Sequence, residues 1–181
     1  MHELALILDI FFPLRESTYL AVPGTVRTAL VYLIGVRMIF KEKPADFDKR
    51  FDIVGCFLEH DGRFVLLHRH PHKANGGKWG LPAGKREEGE DIAAAVLREV
   101  KEETGLELRE SAVHHFDSVY VRDGAFDIEW HMFFARVEGR PDIKVNPYEH
   151  AAFAWASPAE ALEMNLIHDL AESIELFYKR E

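Results

Sequence analysis

Cysteine is almost missing from this chain: Cys56 is the one example in 181 residues, which excludes an intramolecular disulfide and points to a reducing compartment. Positive charge is also in short supply. Lys and Arg total 22 against 31 Asp and Glu, a net charge of −9, so the protein repels nucleic-acid backbone and acidic membrane, and a polynucleotide clamp is a poor reading. An anionic substrate has to be met by local cations or by a metal ion. Long apolar runs are lacking too. The longest uncharged stretch of the first 40 residues, 17–26, is interrupted by Pro23 and Gly24, whereas a membrane span needs about 20 residues. The start Met1-His2-Glu3 lacks the basic stretch that opens a secretory signal, so a cytoplasmic location with no membrane partner is expected. No repeat or low-complexity tract is visible.

What the chain does have is the mix of a globular protein, 48% hydrophobic and 29% charged, at a length that suits one domain plus an extension. Residues 1–40 hold six charges, Glu3, Asp9, Arg15, Glu16, Arg27 and Arg37, which cancel, so the whole −9 lies in 41–181. This step in composition divides the chain into an apolar N-terminal extension, 1–40, and a main domain, 41–181. A helix over 26–40 is expected. The extension needs a surface to cover it, its own domain or a second copy, which leaves a homodimer open. A natural translation start at Met38 is a further alternative.

The main domain is regularly patterned. Residues 51–60 and 63–68 are β-rich runs separated by Asp61-Gly62, a strong hairpin signal. A glycine-containing loop, 70–78, leads to a short extended piece, 79–82. A helix is predicted over 90–104, closed by Gly105. Strands over 117–121 and 128–137, linked near Asp123-Gly124, precede a short strand over 152–156. Ser157-Pro158 opens a helix, with serine as N-cap and proline at the first helical position. The last helix, 169–179, puts Leu170, Ile174 and Phe177 on one face. Strands and helices mixed without strict alternation predict a mixed sheet covered by helices.

The helix over 90–104 is the informative element. At about 100° per residue, Ile92, Val96 and Val100 form an apolar stripe that should face the core. Glu103 falls about 20° from its centre, Glu99 about 60° and Glu102 about 120°. Left unpaired, a carboxylate on an apolar face costs several kcal/mol, at roughly 2–7 for a buried polar group and more for a charge, so a cation is expected to meet it. Carboxylates spaced i, i+3, i+4 are hard oxygen ligands whose repulsion Mg²⁺ or Mn²⁺ relieves. The competing reading is a solvated acidic face with Arg98 and Lys101 as helix partners.

The loop before the helix bears on that choice. The run Gly84-Lys85-Arg86-Glu87-Glu88-Gly89-Glu90, followed by Arg98-Glu99-Val100-Lys101-Glu102-Glu103-Thr104-Gly105-Leu106, resembles the signature of the Nudix hydrolase family at every constrained position. A weaker resemblance runs from about Phe51 to the C-terminus and does not reach 1–40. It implies an α/β fold, an α/β/α sandwich around a mixed β-sheet. The implied activity is hydrolysis of a diphosphate bond in a nucleoside diphosphate linked to another group, using Mg²⁺ or Mn²⁺.

By the same resemblance Glu99, Glu102 and Glu103 would be metal ligands, with the Gly84 carbonyl as another. Arg98 and Glu90 would pair with each other or with a ligating carboxylate. Glu149, in the loop before Phe153-Ala154-Trp155, is either a fourth acidic group reaching the metal or the attacking water, or an ordinary loop glutamate. The general base is Glu102 or Glu149. Arg69 would contact substrate phosphate, and Lys78 and Lys85 would add local positive charge unless they are simply solvated. His68, His70 and His72 resemble a transition-metal site but are expected to be phosphate contacts or surface residues. Trp79 reads as a packing anchor. Phe116, Tyr120, Phe126 and Trp130 read as core ahead of a base pocket.

Substrate choice is less legible. The proline that ADP-ribose hydrolases of the family often carry beyond the signature is missing around Tyr120-Val121-Arg122. The extra motifs of its NADH and coenzyme A hydrolases are missing as well. What remains resembles the group that converts (deoxy)nucleoside triphosphates to monophosphate and pyrophosphate. Nucleotide sugars, dinucleoside polyphosphates and a non-catalytic nucleotide-binding module stay as alternatives.

Overall fold

The computed structural model describes residues 37–123 and 126–178. The expected extension up to residue 36 and the turn at Gly124 lie outside the described residues. In chain order the elements are β1 (Arg37–Phe40), β2 (Lys49–His60), β3 (Arg63–Arg69), β4 (Trp79–Gly80), β5 (Ala83–Lys85), α1 (Ile92–Thr104), a single 3₁₀ turn (Glu110–Ala112), β6 (His114–Asp123), β7 (Phe126–Arg136), β8 (His150–Ala156), α2 (Pro158–Leu162) and α3 (Leu170–Tyr178).

All eight strands join one mixed sheet, with β1, β6, β7, β2, β3 and β4 in sequence across it. The β2–β7 pair is parallel and the other pairs are antiparallel. β2 and β3 leave the Asp61-Gly62 turn, where both residues have positive φ (49° and 70°), as the hairpin expected from that dipeptide. They stay paired only at Glu59↔Phe64 and His60↔Arg63 and then separate. β2 follows β7 and β3 follows β8, and the wedge between them is filled by β4 against β3 and β5 against β2. Val54 thus faces Gly84 across the β2–β5 pair. Pro82 O, between β4 and β5, accepts the Cys56 N–H at 3.0 Å.

Period-2 alternation along β2 sends its side chains to two cores. Val54, Cys56 and Leu58 pack with Val65, Leu67, Phe133 and the Val96 and Val100 stripe of α1. Phe57 points the other way, to Phe64, Leu66, Leu170 and Ile174, where α2 and α3 cover the sheet. Helices on both faces make the α/β/α sandwich. Trp130 lies so close over Gly55 that a Cβ there would sit 2.2 Å from its ring. Trp130 and Phe116 pack against the buried clusters, Tyr120 meets Phe47 edge-on at 5.2 Å, and Phe126 meets Phe51 at 5.5 Å. These aromatics are packing residues.

The helix expected over 26–40 is corrected at its described end: residues 37–40 are a strand, paired with β6 from Arg37↔Asp123 to Phe40↔Tyr120. The edge of β6 supplies hydrogen bonds and a surface that local helical preference cannot match. Arg37 forms ion pairs with Asp123 (2.6 Å) and with Asp169, the residue before α3.

Candidate active site

Helix α1 starts at Ile92, after Asp91 caps it by accepting the Ala93 N–H at 2.8 Å, and ends at Gly105 with φ 72°. It packs over β2 and β5. Glu99 and Glu103 fall on the buried side and Glu102 on the exposed side, as the helical wheel requires. Glu99 rests directly on Gly84: a Cβ there would come within 2.1 Å of the Glu99 carboxylate. Glu103 Oε2 accepts the Ala83 N–H at 2.8 Å. β5 therefore seats both carboxylates, one through a hydrogen bond and one through the missing side chain of glycine.

Arg98 ties the preceding loop to this pair. Its Nε and Nη2 meet the two oxygens of Glu90 at 2.9 and 3.0 Å, the two-point geometry a guanidinium favours. Its Nη1 reaches Glu99 Oε1 at 2.7 Å and Glu102 at 3.5 Å, and Nη2 also donates to Lys85 O at 3.1 Å. These bonds, led by those to Glu90, drive the Arg98 pKa further above its ordinary value.

Burial dominates the electrostatics of the glutamate pair. It raises Glu99 above the ordinary carboxylate range against the pull of Arg98, with Glu102 and Glu149 adding to the rise. Glu103 is pushed up to about 8 by burial; the Ala83 N–H and Arg69 resist, while Glu99 and Glu149 reinforce it. Glu149 is brought here by a turn tied at both ends. Asn146 N–H donates to Glu103 O (3.4 Å), and Glu149 O accepts the His70 N–H (2.9 Å) beyond β3. Arg69 is braced at Nε by Ala74 O at 3.0 Å.

Gly84, Glu90, Arg98, Glu99, Glu102, Glu103, Glu149 and Arg69 are thus brought together. The side chains of the two lysines make their contacts outside this cluster: Lys78 Nζ lies 3.2 Å from His168 Nε2, and Lys85 Nζ sits 4.7 Å from the centre of the Phe51 ring, while the backbone of each adjoins a site arginine. His68 packs on Trp79, and His70 on His72. Five carboxylates against Arg98 and Arg69 leave surplus negative charge, and an all-oxygen set beside a Gly84 that has no room for a side chain suits a hard divalent cation.

Two features escaped the sequence reading. Asp52 lies on the same face of β2 as Val54 and meets Lys49 Nζ (2.7 Å), His131 Nε2 (3.1 Å) and Arg86 (2.8 Å). Burial alone would raise Asp52, but bonds from Lys49, His131 and Arg86 outweigh it and hold the carboxyl at about 2. Arg86 in turn donates to Glu90 O at 2.8 Å, which fastens the loop before α1 to the sheet. Asp52, Glu129 and His131 have ligand-type atoms within 4.8 Å of one another, yet Lys49 and Arg86 balance the two carboxylates. A charged residue in the inward register of an apolar strand was the available signal. The second feature is His150, fully buried beside Glu103.

The family model described as NUDIX domain matches residues 49–177. The chain belongs to the Nudix family. Among its relatives is the CTP pyrophosphohydrolase of Escherichia coli K12, 30% identical over 124 residues, which cover 65% of this chain and 84% of that one. The MutT NUDIX hydrolase of Burkholderia pseudomallei superimposes with a TM-score of 0.60 at 29% identity, over 69% of this chain and 95% of that one. The MutT protein of Methanosarcina mazei Go1 does so with a TM-score of 0.61 at 28% identity, over 74% and 97%. This Nudix hydrolase is a pyrophosphohydrolase that acts on small nucleoside diphosphate derivatives.

Proposed function

We propose that this Nudix hydrolase converts a nucleoside triphosphate to nucleoside monophosphate and pyrophosphate with Mg²⁺ or Mn²⁺. The observation that carries the reading is the buried pair Glu99 and Glu103, seated against Gly84 and Ala83 with too little positive charge around it. The similarity to a CTP pyrophosphohydrolase supports the triphosphate over other diphosphates. Glu99, Glu102, Glu103, Glu149 and the Gly84 carbonyl are the residues that would hold the ion. When bound, it neutralises phosphate charge and makes a water more acidic.

The remaining work falls to this chain. Arg98, gripped by Glu90, keeps Glu99 from turning away into solvent. Arg69, at the end of β3, would bind a phosphate oxygen through its guanidinium. Glu102 is exposed and Glu149 half-buried, so an attacking water can reach either carboxylate and give up a proton to it. A catalytic reading is favoured over a binding module because every carboxylate of the motif is present.

Pyrophosphate and phosphate release should be measured across ribo- and deoxynucleoside triphosphates, oxidised purine triphosphates, nucleotide sugars and dinucleoside polyphosphates, with Mg²⁺ and with EDTA. Metal-dependent pyrophosphate release from triphosphates is expected. Turnover confined to nucleotide sugars or dinucleoside polyphosphates would replace the substrate, and silence throughout would refute the triphosphate reading. Comparing Glu102→Gln with Glu149→Gln separates the candidate bases: loss of the base lowers kcat and removes the acidic limb of the rate profile.

A further inference from the structure

His150 is 2% exposed, at the start of β8 and next to Glu149. Its backbone is fixed, with its N–H donating to Asn146 O at 2.9 Å and its Cα paired in register with Arg69 of β3. Its side chain is not satisfied. Nδ1 is buried without a hydrogen-bond partner among the described residues, and Nε2 lies 3.7 Å from Glu103 Oε1, just outside hydrogen-bond length.

A buried ring nitrogen without a bond is an expensive arrangement, and the other nitrogen of the same ring lies within reach of Glu103. Glu103 Oε2 already accepts the Ala83 N–H, which fixes one oxygen and leaves the other free to swing about that bond. Resting on the reading that this site holds a divalent cation, we propose that His150 is a positioning residue for Glu103. Its ring donates from Nε2 to Oε1 when the carboxylate turns to the ion. Closing the gap needs a movement of under about 1 Å to reach an N–H···O length near 2.9 Å. With both oxygens bonded from the protein side, Glu103 presents its remaining lone pairs in one direction, toward Glu99 and Gly84. Residues behind metal ligands commonly act in this way, and losing one weakens metal affinity about 10- to 100-fold.

The test is Mn²⁺ binding to the free protein, followed by electron paramagnetic resonance without nucleotide, on wild type, His150→Leu, His150→Gln and His150→Ala. His150→Leu keeps an apolar volume and removes the donor, so Mn²⁺ affinity should fall at least about tenfold while unfolding in EDTA is unchanged or shifted upward. His150→Gln restores a side-chain N–H at the reach of Nε2 and should recover part of the affinity. At saturating Mn²⁺ both variants should keep kcat within a few-fold of wild type, with the loss in the metal concentration required. Wild-type Mn²⁺ affinity in His150→Leu overturns the inference. If that variant does not fold, His150→Gln decides against His150→Ala: affinity in the glutamine variant no higher than in the alanine variant overturns it. A nitrogen coupling to Mn²⁺ in pulsed measurements would put the ring on the ion and also overturn the positioning role. If wild type binds no Mn²⁺, the metal reading beneath this inference fails and takes it down too, a result distinct from equal binding by wild type and variant.

Discussion

Without metal, the stability of this enzyme should fall as pH rises through neutrality, and Glu103 is the reason. Its carboxyl lies at about 8 in the fold against 4.5 in an unconstrained chain. Over that interval the folded protein keeps a proton that the unfolded chain releases, so folding is favoured below 4.5 and the advantage is lost as pH climbs toward 8. His150 works in the opposite sense. Its pKa is lowered from 6.5 to about 4, so folding gains from it as pH rises between those values and nothing more above 6.5. The two cancel in part on the acid side, and the Glu103 slope stands clear above pH 6.5. Linkage gives a loss of about 2 kcal/mol between roughly pH 6.5 and 9. For a chain of this size that is roughly 5 °C in melting temperature. Glu103→Gln holds a permanently neutral group of the same shape that still accepts the Ala83 N–H. Thermal unfolding in EDTA should show the wild-type slope, a flatter profile in Glu103→Gln, and a variant more stable than wild type at pH 9. Saturating Mg²⁺ should erase the wild-type slope and leave the variant unmoved. A wild-type profile flat above pH 6.5, or a Glu103→Gln protein less stable at pH 9, would refute the reasoning.

Other perturbations probe the supports of the site. Gly84→Ala places a methyl group where the Glu99 carboxylate sits, 2.1 Å from its carbon; steady-state kinetics should show kcat down about 100-fold with KM changed little, since misplacement of a catalytic group by about 1 Å costs that much. Arg98→Lys keeps the charge but loses the two-point contact with Glu90 and the third arm to Glu99; urea unfolding should show about 2 kcal/mol of lost stability, and wild-type stability would count against that role. Asp52, held at about 2 against an ordinary 3.8, contributes stability above 3.8 that disappears as pH falls toward 2, about 2 kcal/mol in all. Circular dichroism of Asp52→Asn should show a shallower decline across that acid range than wild type does.

The parts read correctly from the sequence are those with a local cause. Asp61-Gly62 makes its turn from the φ preferences of two residues, and α1 shows its buried carboxylates because a single helical period links Val96 to Glu99 and Glu103. Parts that depend on a distant partner stayed hidden. β5 is three residues of weak strand preference that become extended because β2 parts from β3 and leaves an edge to fill. β1 looked helical until β6 was there to pair with it. Lys85 carries the right charge in the right loop, but as the neighbour of Gly84 along a strand it points away from Glu99 and settles on Phe51. His150 gave no signal at all, since its burial comes from the pairing of β8 with β3 and the end of α1.

The ion pairs of Arg37 also bear on where the folding unit begins. The recognisable family span starts at residue 49, yet Arg37 clasps Asp123 at the end of β6 and Asp169 at the entrance to α3, and so ties these two elements together. Asp169 is mostly buried and holds a left-handed backbone at φ 68°, a posture uncommon for a residue with a side chain. A chain trimmed to the family span would leave that carboxylate without its guanidinium and strip the outer edge from the sheet. The match to the family begins at residue 49; mechanical integrity draws on a strand that begins twelve residues upstream.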